Sequence, residues 1–294
     1  MNDLKNKRIV VTGASGFIGS HIAKRLKELG ADVVDSRDDI LDTELMKKVF
    51  AGAWAVVHQA GLPPIPLSVK DPLASHLANV TGTLSVLVAA RDVGVDRLIY
   101  ASTTTIYGNN KTLPKVETLI PQPVSPYSLQ KYECELNAKL FYELYGFKSI
   151  SLRYSNVYGP GQNAKANYVP VTTRFIDLMK GGNRPQIFGD GKQVRDFVYI
   201  DDVVEANIKA LESSISFGVY NIGSGEGISI LQLVEKVNSG LGINLKPEFF
   251  PLRAGDSLED TILDIQKAKN DFGYIPKVMF DEGLNKTIKA TLSL

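Results

Sequence analysis

The chain has 294 residues, 44% apolar and 22% charged, enough to bury a sizeable core in one large domain or two unequal ones. Its 33 basic residues against 32 acidic ones leave a net charge of +1, which implies no broad basic face for nucleic acid or an acidic membrane surface. A single cysteine, Cys134, excludes an internal disulfide framework, and His21, His58 and His76 show no metal-ligand spacing. No window is read as approaching the roughly 20 apolar residues of a membrane span, and a reducing cytoplasm is the expected setting.

In chain order, the apolar runs at 8–13, 54–60, 97–102 and 149–155 are rich in valine and isoleucine, as strands buried on both faces would be. A second strand is expected to begin at Ala31 and end at Val34. Helical periodicity marks 19–29, 42–50, 72–92 and 126–145. Asp42 stands as an N-cap before the second helix, and Ser125-Pro126 sets a capping hydroxyl before a proline at the first helical position. This alternation predicts an α/β fold, a doubly wound parallel Rossmann-type sheet with a smaller C-terminal substrate-binding region. The expected division is a nucleotide-binding domain over 1–165, to which 195–222 returns, and a substrate-binding region made of 166–194 and 223–294.

The segment "TGASGFIG" (12–19) joins the first strand to the first helix. Gly13 permits a tight turn, Gly16 lets the backbone approach a pyrophosphate, and Gly19 lets helix and strand pack closely. A glycine triple alone is a common strand-to-helix turn; its place between a strand and a helix points to dinucleotide binding.

Further on, "ASTTTIYG" (101–108) begins where a strand ends, and "YSLQK" (127–131) begins a helix. Four helical residues turn the chain about 400°, so Tyr127 and Lys131 lie within roughly 40° on one face. If the strand stays extended, Thr103 and Thr105 share a face and Thr104 lies on the other. A tyrosine acting as a base near pH 7 must lower its pKa from about 10, a change of roughly 4 kcal/mol. One positive charge at about 5 Å with an effective dielectric near 20 contributes about 3 kcal/mol.

Taken with "VVHQAG" (56–61), "RYSNVYGPGQ" (153–162), "IFGDGKQVRDFVYIDDV" (187–203), "YNIGSGEGISI" (220–230) and "RAGD" (253–256), these motifs resemble the extended short-chain dehydrogenase/reductase superfamily. Within it the chain looks most like sugar-nucleotide epimerases of the UDP-galactose 4-epimerase type, over nearly its whole length. The resemblance implies Thr103, Tyr127 and Lys131 as the catalytic residues. It implies a cofactor site of Gly13, Gly16, Phe17, Ile18, Gly19, Asp35, Ser36, Arg37, Asp39, Ile40, Ala60, Asn79, Tyr127, Lys131 and Ser155. Substrate would meet Thr103, Asn156, Asn167, Phe188, Arg195, Arg253 and Asp256, with the two arginines on a diphosphate.

The same resemblance implies C4 epimerisation of a UDP-hexose with tightly held NAD and dimerisation through the helices at 72–92 and 126–145. Dehydratases of the family carry an Asp-Glu pair after the relay threonine, and decarboxylases carry the glutamate; Thr104 and Thr105 stand at those places. Cys134 is read as packed and not reactive. The alternatives are an NADPH-dependent 4-keto-sugar-nucleotide reductase and a non-catalytic NAD(P)-sensing protein. Where the family has a cofactor-contacting lysine after "HxAG", this chain has Pro63. The loop after Asp256 departs from the pattern as well. A gapless count places Arg37 at the ribose, favouring NADP; a strand shortened by two residues places Asp35 there, favouring NAD. Asp35 is preferred because a charged residue inside a buried parallel strand would be costly.

Overall fold

The computed structural model describes residues 3–63, 65–163 and 169–293. Strand β1 (Arg8–Thr12) leads into helix α1 (Phe17–Glu28), followed by β2 (Asp32–Ser36), α2 (Thr43–Phe50) and β3 (Ala55–His58). Asp42 caps α2, accepting from the Leu45 amide at 2.9 Å. Two short helices, α3 (Ile65–Lys70) and α4 (Pro72–His76), run through a π-turn at Leu77–Thr81 into α5 (Gly82–Asp92). Then come β4 (Arg97–Thr103), a 3₁₀ turn (Thr104–Tyr107), the long α6 (Pro126–Tyr145) and β5 (Lys148–Tyr154).

The second half is less regular. It comprises β6 (Asn156–Tyr158), α7 (Val171–Lys180), β7 (Gln186–Phe188), β8 (Val194–Tyr199), α8 (Ile200–Glu212), β9 (Phe217–Ile222) and β10 (Gly227–Ser229). The chain ends with α9 (Ile230–Leu241), β11 (Glu248–Phe250), α10 (Gln266–Phe272) and α11 (Phe280–Leu292).

Six parallel strands form the main sheet in the order β2-β1-β3-β4-β5-β9. Its central strands are apolar on both faces because each face is covered. One core joins Ile9, Val11, Val57 and Leu152 to α1 and α8; the other joins Val10, Val56, Leu98 and Tyr100 to α2, α5 and α6. The chain leaves β1 toward β2 and returns to β3, so the strand order reverses between β1 and β3. That crevice, outside the carboxyl ends of the strands, is where such sheets bind ligands.

Three expectations change here. The return of 195–222 to the sheet is made by β9; β8 instead joins β10 and β6 in a separate three-stranded sheet. The second strand runs to Ser36 and contains Asp35, and this costs little because β2 is an edge strand whose aspartate stays partly in water. The helical run Pro72–Asp92, 21 residues with a mean hydropathy of 1.4 in its most apolar window, is by length and composition long enough to cross a membrane. In the fold, 56% of that window is buried inside the protein, where it packs on α2 and α6.

At the crevice, fully buried His58 on β3 meets Thr12 Oγ1 through Nδ1 at 2.7 Å and Thr83 Oγ1 through Nε2 at 3.1 Å. Burial, and secondarily the charge of Lys131, push its pKa down to about 3. The folded pKa is below the unfolded value, so the stability contribution is complete above about pH 6.5 and is lost as pH falls toward 3. Chemical denaturation should show about 2 kcal/mol lost to this group between pH 7 and 5, and His58→Gln should flatten that slope. An unchanged slope in the variant would place the acid sensitivity elsewhere.

Candidate active site

Strand β4 ends at Thr103, whose extended backbone turns into the 3₁₀ segment. The alternation expected through Thr105 therefore stops one residue in. Thr104 is buried in the turn, while Thr103 Oγ1 accepts from the Thr105 amide and donates to Thr105 Oγ1, both at 3.2 Å. Opposite, Ser125 and Ser128 form a reciprocal capping box and Pro126 starts α6, which fixes Tyr127 in the first turn. The Tyr127 amide donates to Ser68 Oγ at 3.1 Å, a contact from α3 with no sequence signal of its own.

One turn on, Lys131 is 6% exposed and donates to the Ala101 carbonyl at 2.8 Å, with its ammonium 4.8 Å from the centre of the Tyr100 ring. Burial pushes its pKa down to about 8, while Cys134 and Glu135 pull the other way. Cys134 is buried with Sγ 3.4 Å from the Asn79 carbonyl, a packing position.

The glycine loop is shaped by contact. Gly13 has φ +69°, and a Cβ there would come within 2.7 Å of the Ala60 amide nitrogen. At Gly19 a Cβ would lie 2.3 Å from the Gly13 carbonyl oxygen. Gly16 is the extended N-cap of α1 and offers no side-chain cap to the first-turn N–H groups, as an anion site would require. Phe17 and Ile18, in that turn, pack against the core.

Asn79 lies in the π-turn, a geometry often found at functional sites. Its side chain clamps both backbone groups of Leu62, accepting at 2.7 Å and donating at 3.1 Å, and donates to Gln130 Oε1 at 2.9 Å. That clamp holds the loop carrying Pro63. Gly61 passes close by, where a Cβ would lie 3.1 Å from Asn79 Oδ1 and 3.6 Å from Lys131 Nζ.

At the carboxyl end of β2, Asp35 turns toward α1 and pairs with Lys27 at 2.6 Å. Thr12 is level with Ser36, and Arg37 is the first residue past the end of β2. Buried Ser36 donates to Asp38 at 3.0 Å, and Asp39 accepts from the Leu41 amide at 3.0 Å. Ile40 is buried against Gly82.

Beyond β5, Ser155 and Asn156 both donate to the Asp196 carbonyl, at 2.6 and 2.9 Å. Arg195 donates to the carbonyls of Val194 and Glu259, each at 2.9 Å, and to that of Ser257, tying the 257–259 loop to β8. Burial works against its charge, with Asp260 and Asp256 opposing. Arg253 pairs with Asp256 at 2.7 Å and lies 4.4 Å from the centre of the Phe188 ring. Arg174 of α7, not foreseen from the sequence, approaches the same ring at 5.8 Å. Its signal was only an arginine on an amphipathic helix, which is commonplace. Asn167 lies outside the described residues.

The structure sets a buried lysine one turn beyond a tyrosine on α6, a threonine at the carboxyl end of β4, a helix N-terminus after the glycine loop, and two arginines on an aromatic ring. A putative UDP-glucose 4-epimerase of Methanocaldococcus jannaschii is 35% identical over 95% of this chain and 97% of its own. The crystal structure of UDP-glucose 4-epimerase from Thermotoga maritima with UDP-glucose superposes with a TM-score of 0.92 at 37% identity, covering 97% of this chain and 99% of the other. The UDP-N-acetylglucosamine 4-epimerase of Methanobrevibacter ruminantium, in complex with UDP-N-acetylmuramic acid, gives 0.91 at 32% identity, covering 98% and 99%. The model of the NAD dependent epimerase/dehydratase family matches residues 9–223, and the chain belongs to that family.

Proposed function

We propose that the chain is an NAD-dependent epimerase that inverts C4 of a UDP-hexose through a transient 4-keto sugar. The observation that carries this reading is Thr103, Tyr127 and Lys131 at the carboxyl edge of the same sheet as a glycine-lined helix N-terminus. When bound, NAD supplies a reversible hydride acceptor, which inversion at a secondary alcohol carbon without net redox change requires. Gly13, Gly16 and the N-terminus of α1 would hold its pyrophosphate, and Lys131 its nicotinamide ribose.

Tyr127 takes the proton from the sugar O4 and later returns it, with the Thr103 hydroxyl as the relay. Lys131, with a pKa near 8, stays protonated at neutral pH and favours the phenolate. Arg195, Arg253 and Arg174 supply positive charge for a diphosphate, Phe188 a ring face for the base, and Asn156 an amide beside them. Solved relatives at 32–37% identity carry UDP compounds, which supports UDP as the nucleotide. Asp35, Asp38 and Asp39 outnumber Arg37 at the end of β2, which disfavours an added 2′-phosphate and favours NAD.

A dimer is part of the same reading. Leu129, Leu136, Leu140 and Leu144 form a stripe along α6, and Leu73, Leu77 and Leu84 continue it on the neighbouring helical run. Leu144 is 67% exposed and Leu73 69%, an apolar patch suited to a second copy of the chain.

Three outcomes are expected. Tyr127→Phe should lower kcat on UDP-glucose or UDP-galactose by about a hundredfold or more while the fold is retained; a loss under about tenfold would remove Tyr127 from the chemistry. Calorimetry should find NAD bound more tightly than NADP, and the reverse order would put Arg37 at the ribose. Light scattering at micromolar concentration should give twice the chain mass, reduced to one chain by Leu140→Glu with Leu144→Glu; a monomeric wild type would refute the dimer.

A further inference from the structure

Beneath Thr103 and Lys131 lies a layer of polar groups that the roles above do not use. The sheet register sets Ser102, Arg153 and Asn221 level with one another on β4, β5 and β9. All three are buried, as is Glu135 of α6. Glu135 accepts from Ser102 Oγ at 2.5 Å and from Arg153 through Nε at 2.9 Å and Nη2 at 2.7 Å. Arg153 Nη1 donates to Tyr107 Oη at 2.9 Å, and that hydroxyl donates to Asn221 Oδ1 at 2.7 Å. Asn221 in turn donates to the carbonyls of Lys115 at 2.9 Å and Asp264 at 3.1 Å.

Two charges buried so completely lose much of their hydration, and an apolar pair of similar volume is often as stable or more so. Stability is therefore a poor account of the pair, whereas its location is a good one. Glu135 is four residues beyond Lys131 and eight beyond Tyr127, on the same side of α6. Ser102 immediately precedes Thr103, and Tyr107 closes the turn that Thr103 caps. A two-pronged guanidinium–carboxylate contact has a fixed planar geometry, so it restrains both the slide and the roll of α6 on the strand ends.

We infer that Glu135 and Arg153 are positioning residues that hold the helix carrying Tyr127 and Lys131 in register with Thr103. The inference rests on these three being the working groups of the proposed epimerase. A shift of about 1 Å between such groups costs on the order of a hundredfold in rate, and the pair acts against that shift.

The test compares wild type with Glu135→Gln, which keeps the shape and removes the charge, and with the paired Glu135→Leu/Arg153→Met, which replaces both charges by apolar groups. Each NAD-loaded enzyme is assayed on UDP-glucose and UDP-galactose. In parallel, amide hydrogen exchange of the cofactor-free protein is followed over 99–108 and 126–135, with segments from α1 and α8 as the fold control. The expected result for the paired variant is a kcat at least about tenfold lower, with KM within about threefold, and faster exchange confined to the two site segments. A kcat within about twofold of wild type, or unchanged exchange in those segments, overturns the inference. If the paired variant does not fold, Glu135→Gln decides by the same two readouts. If wild type turns over neither sugar nucleotide, the epimerase reading fails, and the exchange data still decide whether the pair holds the helix against Thr103.

Discussion

The charge of Lys131 is the constraint around which the site is arranged. An ammonium with 6% of its residue surface in water needs partners, or burial would drive it neutral. It has the Ala101 carbonyl, the face of Tyr100 and, one turn along α6, the carboxylate of Glu135. Burial brings its pKa down to about 8, with Cys134 and Glu135 pulling the other way, which leaves it charged at neutrality and far enough from bulk water to act strongly on a neighbour. Gly61 passes close to that charge, and the clamp of Asn79 on Leu62 holds the loop that follows it, without adding a second charge.

From there the logic spreads along the carboxyl edge of the sheet. The strands are apolar through the core and become polar as they emerge: Thr12 on β1, His58 on β3, Ser102 and Thr103 on β4, Arg153 on β5 and Asn221 on β9. Each is buried, and each bonds to a group on another element, so the strand ends and the loops above them are held by directional contacts and not by apolar packing alone. The region around Arg195 and Arg253 is built differently. Arg195, on β8, is anchored by the carbonyls of the distant 257–259 loop, while Arg253, on the segment between β11 and α10, is engaged by Asp256 and by the Phe188 ring.

The departures from the family pattern acquire physical meaning in this setting. Pro63 stands where a lysine is usual, in a loop fixed by the Asn79 side chain through both backbone groups of Leu62. At the end of β2, the carboxylate of Asp35 is partly neutralised by Lys27, while Asp38 and Asp39 add negative charge beyond it.

Much of the architecture was legible along the chain because it is written in local chemistry. Val- and Ile-rich runs, helical periodicity and the caps at Asp42 and Ser125 depend only on near neighbours, and the parallel sheet follows from their alternation. The glycine loop and the one-turn spacing of Tyr127 and Lys131 on α6 were legible for the same reason, since turn geometry and helical pitch operate within a few residues. What only the tertiary structure decided depends on which elements meet. The edge position of β2 made an internal Asp35 inexpensive, and the packing of Pro72–Asp92 made a membrane-length apolar helix part of a core. The 3₁₀ turn after Thr103 replaced strand alternation, β8 left the main sheet for β6 and β10, and Arg174 reached Phe188 from another helix. Glu135 and Arg153 lie 18 residues apart with no shared local pattern, and they meet only because α6 lies across β4 and β5. Spacing along a chain reports contacts within an element; contacts between elements are set by how the sheet is wound.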